Sequence, residues 1–133
     1  MTPSVPVSCG ELIDKITILE IKAEQLRAVG ARENAGRELA HLVAVLDSLE
    51  PLPAGLAGLK GSLGAVNRRL WEIEDNIRMK EAAQTFDAEF IELARAVYLT
   101  NDQRSRIKRE IDELLQSELV EEKQYAPYHT ADR

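Results

Sequence analysis

Leu56, Leu59, Leu63, Val66, Leu70, Ile73 and Ile77 recur at alternating spacings of three and four. No strand can hold such a set on one face, because strand side chains alternate every second residue. The pattern therefore specifies a long helix over 56–81 whose apolar seam packs on neighbours at small, coiled-coil-like angles. Beside the seam runs a second row, Asn67, Trp71, Glu74, Arg78 and Glu81, spaced four, three, four and three. A helix with one apolar stripe and one polar-aromatic stripe has two neighbours, or one neighbour and a ligand.

The flanking chain supplies the neighbours. Residues 1–7 hold two prolines and predict an extended lead-in. Ser8 and Glu11 have the spacing of a capping box and start a first helix, with Leu12, Ile16, Leu19, Ala23 and Leu26 on one face and Gly30 as its terminator. Ile18 and Ile21 lie on nearly the opposite side, so this helix is expected to sit between neighbours; Asp14 shares their row and must be paired there. A second helix is predicted from about Ala31 to Leu49, antiparallel to the first. Pro51 to Gly55 breaks the chain before the central helix, and glycines 58, 61 and 64 predict fraying or close helix approach in its first third. Thr85 is the expected cap of a fourth helix and Asn101 of a fifth, with a break at Thr100-Asn101. From Ser117 the pattern lapses, and Tyr125 and Tyr128 look like anchors for a docked tail over 118–133. The expectation is an all-α, antiparallel bundle of about five helices forming a single domain.

Composition narrows the function classes. The net charge is −6 with the two signs interspersed, so no basic face offers itself to nucleic acid. No run of about 18 apolar residues could span a membrane, and the N-terminus lacks the pattern of a secretion signal. The lone Cys9 has no partner for a disulfide and no zinc-type neighbours. Together these features point to a cytoplasmic protein.

Three constellations could carry chemistry. Glu38-x-x-His41 is half of a di-iron motif, and the only other histidine, His129, is in the tail; a solvated face is the simpler reading. Glu72-x-x-Asp75 and Glu89-x-x-Glu92 have the spacing of magnesium-binding pairs in helical pyrophosphatases, but Glu72 and Asp75 project away from the seam. The row beside the seam is the better candidate. Glu74 with Arg78 and Arg78 with Glu81 make helix-surface ion pairs if exposed. If they line a pocket, Asp14, Asn67, Trp71, Glu74, Arg78, Arg95, Asn101 and Arg104 form the expected ligand set, with Asp102 and Lys108 nearby. Arginine forks suit carboxylate or phosphate, and Trp71 offers a stacking face. No nucleophile–base pair, phosphate loop or metal cluster is recognisable, so neither a cofactor nor a reaction class is expected.

Residues 10–22, the Asn67–Arg78 stretch with its Leu-Trp-Glu-Ile-Glu-Asp core, Phe86 through Tyr98, Asn101-Asp102 with Arg104 and Lys108, and the closing Glu-Glu-Lys-x-Tyr together resemble a bacterial family, the domain-of-unknown-function family numbered 6165. The resemblance runs from about Ser8 to Tyr128. It implies a shared polar site at Glu11, Asp14, Lys15, Glu74, Asp75, Arg78, Asp87, Arg95, Asn101, Asp102 and Arg104, and weakly implies an association with glycosyltransferase-like proteins of surface-glycan biosynthesis. The leading expectation is a pocket for a small anionic or sugar-like molecule. Its rival is a homo-oligomeric or accessory interaction module with no such ligand.

Overall fold

A computed structural model describes residues 1–128. Its elements are α1 (Cys9–Gln25), α2 (Val29–Asp47), α3 (Leu56–Ala82) and α4 (Ala88–Leu114). The described residues are all-helical in their regular structure, as expected, but with four helices rather than about five. The predicted break at Thr100-Asn101 is absent, and α4 runs through both residues for 27 residues, as long as α3. A mid-helix threonine or asparagine costs only about 0.5 kcal/mol relative to alanine, and Thr100 is fully packed, so burial overrides the local signal.

Caps fix the ends. Ser8 caps α1 by accepting from Glu11 N at 3.2 Å, the forward half of the predicted box, while the Glu11 carboxylate turns to Lys108 instead. The start of α4 is capped by Asp87, which accepts from Phe90 N at 3.0 Å, not by Thr85. Thr85 closes α3 instead. Its N–H reaches Lys80 O at 2.9 Å and that of Gln84 reaches Glu81 O at 3.0 Å, around a left-handed Gln84. Gly30 lies in the first turn of α2 and does not end α1, which stops at Leu26.

All seven seam residues of α3 are buried or half-buried. The core joins Leu56 and Leu63 to Leu12, Ile13 and Ile16 of α1, Leu46 of α2 and Ile111 of α4. The glycines of α3 neither fray it nor mark close contact: Gly58 and Gly61 have open space at the Cβ position, and Gly64 only touches Thr17 at 3.9 Å. The tight approach is at Gly10, where a Cβ would overlap the Lys108 carbonyl and sit 3.0 Å from Asp112 Oδ1. There the exposed amides of the α1 N-terminus are met by α4 and its flank, Gly10 N donating to Asp112 at 2.6 Å and Cys9 N to Ser117 Oγ at 3.1 Å. Gly10 beside Asp112 and Asp14 beside Arg104 make α1 and α4 antiparallel.

Packing stops short of the α3–α4 turn. No residue from Glu74 to Leu99 is buried, although α3 and α4 pair along this stretch. At its tip Lys80 bridges Asp87 at 2.9 Å and Glu89 at 3.1 Å, and Phe86 meets Phe90 edge to face. Beyond α4 the tail is extended. Glu121 reaches Lys108 at 2.7 Å, Glu122 reaches Arg109 at 3.2 Å, and Tyr128 donates to Asp102 at 2.8 Å. Tyr128 is thus an anchor, whereas Tyr125 is largely exposed. No helix among the described residues is long and apolar enough to cross a membrane.

Candidate functional site

The carboxylate of Asp14 is the polar centre of the bundle, 1% exposed on the face of α1 that turns toward α3 and α4. A bare charge there would cost several kcal/mol, and three groups answer it. The Arg104 guanidinium grips both oxygens in a bidentate pair, with Nε at 2.9 Å from Oδ1. Asn67 donates to Oδ1 and to Thr17 Oγ1, both at 2.9 Å, and Lys108 Nζ stands 3.8 Å from Oδ2. Burial would push the Asp14 carboxyl up, but the Arg104 and Asn67 hydrogen bonds and the two cations outweigh it and hold it below the usual range. Lys108, though buried, is likewise kept charged: its hydrogen bonds to Glu11 and Glu121 overcome desolvation and raise it above the usual lysine value.

Above this network opens a cleft of about 510 Å³. Ile18 and Ile21 of α1 form one wall; Leu70, Trp71, Glu74, Asp75 and Arg78 of α3 form the other; Asn67, Asn101 and Arg104 close it. Helical spacing explains the second wall, since residues 67, 71, 74 and 78 form one stripe beside the seam. Both N–H groups of Asn67 are engaged below, and its carbonyl oxygen is not a buried orphan, so it is left to the cleft. The guanidinium N–H groups that Arg104 does not give to Asp14 remain as donors. Arg78 is 80% exposed at the rim and, among the described residues, meets only Glu74, at 3.6 Å on its own helix.

Six of the eight predicted ligand residues, Asn67, Trp71, Glu74, Arg78, Asn101 and Arg104, therefore line one cleft. Asp14 lies beneath it as the partner of Arg104 and Asn67. Arg95 is elsewhere: it is exposed and absent from the lining. Sequence reasoning missed Ile18, Ile21 and Leu70 as lining because apolar residues at helical spacing look like core. It places Asp75 in a magnesium pair and, through the family resemblance, among the shared polar positions, but not in the ligand set. Among the described residues no three His, Cys, Asp or Glu side chains converge as a metal site requires. Glu89 is bonded to Lys80, and Glu38 and His41 are exposed on α2; His129 lies outside the described residues.

The cleft's charges cancel. Glu74 and Asp75 stand against Arg78 and Arg104 in the lining, and the underlying Asp14 against Lys108, so the balance is zero. Donors, acceptors, one aromatic face and apolar walls are thus gathered in a site with no excess of positive charge.

No curated protein and no solved structure matches the sequence. The profile of a family described as a family of unknown function, DUF6165, matches residues 3–132, nearly the whole chain, and the protein belongs to that family.

Proposed function

We propose that the cleft between α1, α3 and α4 binds a small, hydroxyl-rich, sugar-like ligand. The observation that carries this is the composition of one wall and floor. Trp71 provides a flat apolar face, while Glu74, Asp75, Asn67 and Asn101 accept and Arg78 and Arg104 donate, the mixture a polyol ring needs. The zero balance, with Arg104 already paired to Asp14, favours a neutral ring over the anionic ligand that the arginines alone would suggest. Such a ligand also fits a role beside surface-glycan enzymes. A thermal-shift screen against neutral sugars, nucleotide-sugars and sugar phosphates, with Arg78→Ala and Trp71→Ala in parallel, tests it. A ligand at about 100 times its Kd adds about 2.7 kcal/mol, a rise of several degrees for a domain this size. The rise is expected with neutral sugars and lost in both variants; a response to phosphates alone would replace the sugar by an anion.

A second reading rests on the α3–α4 hairpin, where Met79, Phe86, Ile91, Tyr98 and Leu99 are exposed along a stretch with no buried residue. That surface suits a second copy of the chain or an accessory protein. Sedimentation at high protein concentration decides the first: a strict monomer contradicts self-association.

A further inference from the structure

A second cleft of about 540 Å³ lies between α4 and the tail, lined by Val97, Tyr98, Asn101, Asp102 and residues 125–128. Asn101 belongs to both clefts, so they adjoin along the surface of α4. The second contains three tyrosines. Tyr98 and Tyr128 lie 5.4 Å apart with tilted rings, and Tyr128 is held by its hydroxyl on Asp102. Among the described residues, Asp102 is the only charged side chain in the lining.

Resting on the sugar-binding reading of the first cleft, we propose that the ligand is an oligosaccharide, one unit held beside Trp71 and the next units laid past Asn101 onto Tyr98 and Tyr125. The chemistry repeats: aromatic faces for the apolar sides of sugar rings, an amide and a carboxylate for their hydroxyls. The tail forms one wall, and the Glu121–Lys108 and Glu122–Arg109 pairs hold the segment that leads to it.

Trp71 is the only tryptophan of the chain, so its emission reports the first cleft alone. The test titrates neutral gluco-, manno- and N-acetylglucosamine oligosaccharides of one to six units into the full chain and follows that emission. Affinity should rise at least tenfold between one unit and four, and this gain should vanish in Tyr98→Ala and Tyr125→Ala. Tyr125 is 72% exposed, so its variant tests the subsite without a folding defect. Equal affinity at every length, or a gain that both variants keep, overturns the extended site while leaving the first cleft standing. An emission that answers to no saccharide overturns both.

Discussion

Two polar rows meet at Asn67 and have opposite fates. In the row between α1 and α4, Asp14, Glu11, Arg104 and Lys108 find partners about ninety residues away in sequence and exclude water from most of the contact. In the row along α3, Arg78 finds only Glu74 among the described residues, four residues back on its own helix, and both stay open to solvent. The residue types are alike; the neighbours differ. Where a second helix covers the row, each charge becomes an obligation of the fold. Where none does, the same groups stay open to solvent.

The sharpest way to break the comparison is Asp14→Ala, which strands Arg104 and Asn67; removing one partner of a buried pair should cost about 3–5 kcal/mol in urea unfolding. The same group sets an acid dependence. Its folded pKa is lowered, so the unfolded state takes up the proton first. The stabilisation is complete above about pH 4 and drains as pH falls toward the folded value. Asp14→Ala should flatten that acid limb. Next in size is Gly10→Ala, where the new methyl must push α1 from the Lys108 carbonyl, a loss of about 1–3 kcal/mol measured by thermal unfolding. The smallest effect on stability belongs to Arg78→Ala. An exposed i,i+4 pair contributes about 0.3–0.5 kcal/mol, so helicity by circular dichroism should be unchanged while sugar binding is lost.

The seam from Leu56 to Ile77 was legible because burial on one helical face leaves a periodic trace. Asp14 was legible as a carboxylate that needed a partner. The partner itself was harder to assign. Arg95 and Arg104 are nine residues apart, which on one continuous helix places them about 180° apart. Only one can face α1. The false break at Thr100-Asn101 hid this relation, because weak local preferences were read where tertiary packing decides. The Glu121–Lys108 contact left no periodic signal, since the tail that supplies it has no regular structure. The tyrosines of the tail could be recognised as anchors, yet not the cleft they build with α4, which depends on where the tail lies.

The most direct test of the two-row account is a proton–nitrogen correlation spectrum recorded as a neutral sugar found in the thermal-shift screen is added. The single indole N–H of Trp71 should shift and saturate, while the Nε–H of Arg104, bonded to Asp14, should persist with slow solvent exchange and little change. An indole signal that stays fixed, or an Arg104 signal that exchanges freely from the start, would contradict the division between an open row and a buried one.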